Sequence, residues 1–429
     1  MKKCVFGRKL PAKRLKVGRS VMNKPALLGG SKAKGKEFPA WPHYDDLERD
    51  ALNRVLESRN WWRTPGVEVS RFEEEFARYH QTEYGVAVTN GTHALEVVLA
   101  AVDIGPGDEV IIPDFTFVAT AGAVLSVGAM PVMVDVLPTT YCIDSALVEE
   151  AVTSRTKAII TVHMGGHPAD LDQLGHIASK MNLLLIEDSA HAHGTEWQGK
   201  KIGGFGLAGT FSFQSSKLLT SGEGGIIITN DETFERQVRS IHDCGRMPGE
   251  WFYSHYIYGS NFRMTEWQGA LLRTQLSRLE AQTAKRHRNA RLLDSLLSSI
   301  EGITPQSLDE RCTRNGHYAY IFHYNPEAFN TLPIDTFIQA VIAEGIPNQA
   351  SYPPIHDLDL FKRGALKKKL QSGITDEYRD MLQRPFPVSH TAAWETVWIP
   401  QFALLGDEED MEEIARAISK IQEHSQMLV

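Results

Sequence analysis

The chain has 429 residues, 42% hydrophobic and 23% charged, with a formal net charge of −8. That length supports a large core and a second, smaller lobe, and the acidic balance argues against nucleic acid or an anionic membrane as the main partner. The most apolar region, 119–134, is interrupted by Ser126, Gly128 and Pro131, which leaves nothing to span a bilayer.

Residues 1–21 carry Lys2, Lys3, Arg8, Lys9, Lys13, Arg14, Lys16 and Arg19 and no acidic side chain. Pro11 and Gly18 spoil an amphipathic helix and no apolar h-region is present, which disfavours a targeting peptide. The segment reads as a disordered basic tail, with an ordinary protein beginning after Met22 and residues 1–36 serving as tail and lead-in. Cys4, Cys142, Cys244 and Cys312 are scattered and form no CxxC pair, a pattern of free thiols in a reducing cytoplasm.

From Tyr44 onward helical and strand periods alternate. Residues 45–58 and 69–80 are expected to be amphipathic helices, with Leu47, Leu52, Val55 and Leu56 on the apolar face of the first. Short β-rich runs follow at 84–88, 109–112, 130–134, 158–162 and 183–186, each succeeded by a helical stretch or a Gly-containing turn. Such alternation predicts βαβ units and an α/β fold with a mainly parallel sheet covered on both faces. Strands at 210–213 and 225–229 bracket a Gly-rich turn, and a long helix is expected over 265–297. Beyond residue 300, a strand at 317–323 and helices at 334–344 and 408–424 suggest a smaller α+β lobe.

Three segments carry chemistry. In the first, a β run ends at Thr89, Asn90-Gly91 turns, and Thr92-His93 opens a helix whose free amides make an anion site. Asn-Gly-Thr is equally a generic turn and cap. In the second, the apolar strand Leu184-Leu185-Ile186 runs into Asp188, at the carboxyl end where open α/β sheets place ligands. A carboxylate there suits a protonated pyridine nitrogen, although it also suits a helix cap. His191 and His193 lack a third metal ligand at a convincing spacing, and Gly165-Gly166 separates His163 from His167. In the third, a strand with Phe211 and Phe213 delivers a lone Lys217 into a small, polar turn, 29 residues after Asp188. A lone lysine is usually a solvated charge. Partial burial would instead lower its pKa and free the amine for Schiff-base chemistry.

Together these segments resemble the DegT/DnrJ/StrS aminotransferases, the sugar and cyclitol branch of fold-type I pyridoxal phosphate (PLP) enzymes. The resemblance runs from about Glu37 to the C-terminus and includes Asp188 with His191, Ser212 before Lys217, and Gly259-Ser-Asn-Phe-Arg-Met-Thr-Glu266. Tyr352-Pro-Pro-Ile-His356 and Pro387-Val-Ser389 also resemble this family. It implies a large PLP-binding domain over 37–285 and a small domain over 286–429. Lys217 is then the Schiff-base lysine, Asp188 the partner of the pyridinium nitrogen, and Phe117 the residue stacked on the ring. Gly91, Thr92, the His93 amide, Ser212 and a neighbouring subunit's Asn261 would hold the phosphate, with His191 beside the ring hydroxyl. A shared site implies a homodimer.

The wording around Glu37, Trp61-Trp62-Arg63, Ala190-His191-Ala192-His193 and Trp197 is similar to 3-amino-5-hydroxybenzoate synthases and to glutamine-dependent scyllo-inosose aminotransferases. Trp62, Arg63 and His356 are candidate substrate contacts, and paired aromatics equally suit packing. Ser215, Ser216 and Ser221 depart from the residues usual around the lysine and leave the acceptor open. The implied donor is glutamine or glutamate and the implied acceptor a keto-cyclitol or keto-sugar. The rival readings are an aromatising dehydratase using the same lysine and a PLP-binding regulator without turnover.

Overall fold

The computed structural model describes residues 24–247, 249–362, 381 and 383–429. The basic segment 1–21, Met22 and Cys4 lie outside the described residues.

Helix α1 (Asp46–Ser58) starts at a capping box, with the Asp45 carboxylate accepting from Leu47 N and Glu48 reaching back to Asp45 N. Helix α2 (Glu68–Tyr79) leads into the βαβ units. These run β1 (Tyr84–Val88), α3 (Gly91–Ala101), β2 (Glu109–Pro113), α4 (Ala119–Ser126), β3 (Met130–Val134), α5 (Ser145–Ala151), β4 (Thr156–Val162), α6 (Leu171–Met181) and β5 (Leu184–Asp188). The short strands β6 (Glu196–Trp197) and β7 (Lys200–Lys201) form a ribbon. Then come β8 (Ala208–Ser212), β9 (Gly225–Thr229), α7 (Glu232–His242) and α8 (Glu266–Leu297).

The main sheet has seven strands in the order β1-β9-β8-β5-β4-β2-β3. Neighbours from β8 to β3 are parallel, whereas β9 runs antiparallel to both β8 and β1. Strands β2, β8 and β9 are buried along their whole length, which explains the apolar runs Val110–Ile112 in β2 and Ile226–Ile228 in β9. On one face Phe72 and Phe76 of α2 and Leu272, Leu276 and Leu279 of α8 pack on Phe211, Phe213, Ile226 and Ile228. The other face carries the larger core, with Leu95, Val98, Val124 and Leu174 set on Ile111, Ile160 and Ile186.

The second unit has a four-stranded antiparallel sheet, β10 (Ile303–Pro305), β12 (Ala319–Tyr324), β14 (Thr396–Pro400) and β13 (Gln349–Ala350) in that order. Strand β11 (Cys312–Arg314) instead extends the β6–β7 ribbon. Helices α9 (Ile334–Ala343), α10 (Pro387–Glu395) and α11 (Glu408–Glu423) complete it. Two buried carboxylates tie this unit to the main sheet. Asp114 accepts from His356 N (2.9 Å), and Asp135 accepts from Val388 N and Ser389 N at the start of α10 (2.9 and 2.7 Å). The Tyr352–His356 and Pro387–Ser389 sequence elements therefore sit at the junction of the two units.

The lead-in from Lys24 onward is ordered. Residues 24–36 are stitched to the small unit: Glu344 accepts from Ala26 N and Ala33 N (2.8 and 2.7 Å), and Lys34 is buried against Asp410 and Glu413 (2.5 and 2.9 Å). An ammonium buried this far is tolerable only when so paired. Helix α1 also departs from its reading, because Leu47 and Leu56 are more than half exposed while Ala51 and Val55 are buried. Among the described residues, no helix is long and apolar enough to cross a membrane, and Cys142, Cys244 and Cys312 are free thiols.

Candidate active site

The carboxyl ends of β1, β2, β4, β5 and β8 open on one cavity of about 550 Å³. This edge of an open α/β sheet is where ligands bind.

One wall is the start of α3. Asn90 caps it by accepting from His93 N (2.8 Å). A Cβ on Gly91 would lie 2.8 Å from Ser212 Cβ, and one on Gly225 would lie 2.4 Å from the Asn90 carbonyl carbon. Only glycines let the helix start press this closely on β8 and β9. Gly91, Thr92 and Ser212 thus line one corner, where early helical amides, the macrodipole and two hydroxyls suit a phosphate monoester. The His93 amide is engaged by the cap, so its expected phosphate contact is not available in this arrangement. Its ring sits instead against Thr89 Oγ1 (2.5 Å) and Phe262 (4.6 Å between centroids).

The floor is Asp188, 8% exposed at the end of β5. Its Oδ2 accepts from Thr120 Oγ1 (3.0 Å) and its Oδ1 from Ala190 N (3.2 Å). Burial raises its pKa against these bonds and the nearby Lys217, so the pocket holds a carboxyl in want of a cationic partner. The preceding Glu187 turns the other way, accepting from the amides of Gly203, Phe205 and Gly206 (2.7–2.9 Å). His163 Nδ1 accepts from Ala169 N (3.1 Å), so Nε2 donates to Glu187 at 3.3 Å. Glu187 thus holds the loop ahead of β8, and among the described residues no cluster could bind a metal ion.

Lys217 closes a tight turn after β8, its amide donating to Gln214 O (2.9 Å). Burial lowers its pKa below the usual 10.5, while Tyr318 and Asp188 act the other way. Its Nζ lies 4.3 Å from the Tyr318 ring centroid. Phe117 also lines the cavity, half exposed and 5.7 Å from Tyr352 between ring centroids. His191 is buried against Tyr318, and burial holds its imidazole neutral, with Nδ1 lacking a hydrogen-bond partner.

Other expected residues lie elsewhere. Asn261 is exposed and outside the cavity lining, bridged to Asp243. Trp62 packs edge-on against Phe252 (6.2 Å). The Arg63 guanidinium grips Glu73 with two bonds (2.5 and 2.8 Å), a pairing that leaves no reach for substrate. His356 pairs with Asp114 (2.7 Å) and stacks on Phe386. Within one chain, then, Trp62, Arg63 and His356 do not line the cavity. Sequence reasoning missed Thr120, Gln214, Tyr318 and Gln349, which have no local pattern, and gave Tyr352 no role although it stood in a quoted motif.

The donor set fits pyridoxal phosphate: a phosphate corner, a stacking ring, a buried carboxyl and a lysine of depressed pKa share one cavity. The model of the DegT/DnrJ/EryC1/StrS aminotransferase family matches residues 42–419. The chain is 41% identical to 3-amino-5-hydroxybenzoate synthase of Amycolatopsis mediterranei, over 90% of this chain and 97% of that protein. It is 38% identical to the L-glutamine:2-deoxy-scyllo-inosose aminotransferase of Streptoalloteichus tenebrarius, over 93% and 97% respectively. The crystal structure of 3-amino-5-hydroxybenzoic acid synthase superposes with a TM-score of 0.82 at 40% identity, covering 90% of this chain and 99% of the other. The cavity's chemistry and these likenesses agree: the chain belongs to the DegT/DnrJ/EryC1/StrS family and is a pyridoxal-phosphate-dependent aminotransferase.

Proposed function

We propose that this enzyme moves an amino group from glutamine or glutamate to the ketone of a cyclitol or sugar in secondary metabolism. The observation that carries the reading is the half-buried Lys217 amine, depressed in pKa, in one cavity with Asp188 and the α3 start. The names of the inosose aminotransferases support the donor and the acceptor class. The enzyme acts in the cytoplasm.

When bound, pyridoxal phosphate supplies an electron sink and carries the amino group between two half-reactions. The chain supplies the rest. The α3 amides at Gly91 and Thr92, with Ser212 Oγ, would hold the phosphate; Asp188 would keep the ring nitrogen protonated; Phe117 would cover one ring face; and His191 would lie on the side of the ring hydroxyl. Lys217 Nζ would act as base and then acid for the 1,3-proton shift that starts at the donor's α-carbon, a role worth about 10²–10⁴ in rate.

The partner subunit's Asn261 completes the phosphate site in a homodimer. Supporting this, Asn261 follows a surface strip of Trp251, Tyr253, Tyr256 and Tyr258, the last 97% exposed. Exposed aromatics gathered in one short segment suit an interaction site.

The test is direct. The purified protein should be yellow, and borohydride should bleach it and fix the cofactor on Lys217. Initial rates with both substrates varied should give parallel lines. Lys217→Ala is expected to take no borohydride-fixed cofactor, and a Lys217→Ala protein that still fixes the cofactor covalently would overturn the assignment. The similarity to 3-amino-5-hydroxybenzoate synthase favours a second reading, in which the same lysine removes water from an aminated ring ketone. Aromatic absorbance developing with such an acceptor, and none with an inosose, would favour it. A regulator without turnover is opposed by the intact lysine–carboxylate pair.

A further inference from the structure

Tyr318 lies 101 residues after Lys217, just ahead of β12. Close packing of the preceding turn delivers it into the cavity. A Cβ on Gly316 would lie 2.8 Å from the His193 carbonyl oxygen and 2.9 Å from Leu218 Cδ1. The Gly316 amide donates to Thr195 Oγ1 (2.9 Å) and the His317 amide to Asn315 Oδ1 (2.8 Å). The turn is therefore built against the wall that also carries the lysine.

The phenol is held from several directions. Lys217 Nζ lies 4.3 Å from its centroid, and the His191 ring stacks on it at 4.0 Å with 16° between planes. Its hydroxyl is 3.0 Å from Ser216 Oγ. Ser216 Oγ donates its one proton to Gln214 Oε1 (2.7 Å), so the Tyr318 hydroxyl donates to Ser216 Oγ. The Tyr352 phenol lies close by and lines the same cavity. Hydroxyl and ring plane are both fixed, and the ammonium sits over the ring.

We propose that Tyr318 is a positioning residue for Lys217, its π face receiving the ε-ammonium each time the amine is not bonded to the cofactor. The inference rests on Lys217 being the cofactor lysine. A partly desolvated cation gains from an aromatic face. Here that gain joins the attraction of Asp188 on β5, opposes the effect of burial, and acts beside the neutral His191 and His193. Tyr318 thereby keeps the amine at one place and near enough to protonation to hand a proton back.

The experiment reads the lysine itself. In the full chain freed of cofactor, the pH midpoint of Lys217 acylation is measured by peptide mass spectrometry for wild type, Tyr318→Phe and Tyr318→Leu. Phenylalanine keeps the ring and should leave the midpoint in place, whereas leucine should lower it by about one unit. A trifluorinated phenylalanine at position 318 keeps the shape and drains the π face; it should also lower the midpoint, and it decides alone if the leucine variant fails to fold. Coincident midpoints, or phenylalanine moving the midpoint as far as leucine, overturn the proposal. Wild type is also tested for colour and a borohydride-fixed label on Lys217. Without either, the parent assignment fails; with both and unmoved midpoints, only the role of Tyr318 fails.

Discussion

Asp188 and Lys217 bear opposite pKa displacements from the same cause. Burial raises the carboxyl and lowers the ammonium, so each is closer to its neutral form than in water. Cofactor binding should accordingly strengthen as pH rises through the Lys217 pKa, which lies below 10.5, a trend that titration of the cofactor-free chain by absorbance would display. Thr120 supplies a hydroxyl to Asp188, so Thr120→Val removes a bond to a charged acceptor and should weaken cofactor binding about tenfold. Gly91→Ala places a methyl 2.8 Å from Ser212 Cβ, forcing α3 off the strand ends; the same titration should show lost affinity with the far-ultraviolet circular dichroism unchanged. The residues legible in the sequence were those announced by a local pattern, such as Lys217 after a strand and Asp188 at the end of one. Thr120 was not legible, because its partner is 68 residues away, and Tyr318 meets Ser216 across 102.

At the level of elements, Glu73 on α2 is a buried junction. Burial alone would raise its carboxyl, but Arg63, Arg239 and the Ala87 amide override this and hold it at about 2. A folded pKa below the unfolded value of about 4.3 gives stability that is complete above that value and lost as pH falls towards 2. Glu73→Gln should therefore flatten acid unfolding across that window. Arg63→Met should cost about 3 kcal/mol in urea unfolding while leaving the cofactor titration unchanged, because Arg63 acts on Glu73 outside the cavity. The periodicity located the strands of the main sheet and the longest helices, but not α7, α10 or the short strands β10, β11, β13 and β14, and not the antiparallel sense of β9, since an apolar run reads the same in both directions. Nor did it reveal that Leu47 and Leu56 of α1 face outward, as an apolar stripe does not name what covers it.

For the molecule as a whole, residues 24–36 are structural. Deleting residues through 36 leaves Asp410 buried without Lys34 and Glu344 without the Ala26 and Ala33 amides. Tm should fall by about 5–10 °C, measured by differential scanning calorimetry. Composition did not announce this, since nothing local sets the buried Lys34 apart from Lys24, Lys32 and Lys36.

The long helix α8 carries a further consequence for how such chains diversify. It runs unbroken for 32 residues, about 48 Å, from Glu266 to Leu297, crossing the expected domain boundary at 285 without interruption. Its early turns pack on α2, and Leu293 and Leu297 enter the small unit's core. A chimera joined at residue 285 would thus pair the front of one parent's rod with the back of another's, mismatching both cores at once. Cassette exchange between relatives should succeed only with a crossover beyond Leu297, where the chain leaves the helix, and the soluble yield of a crossover series would map that limit.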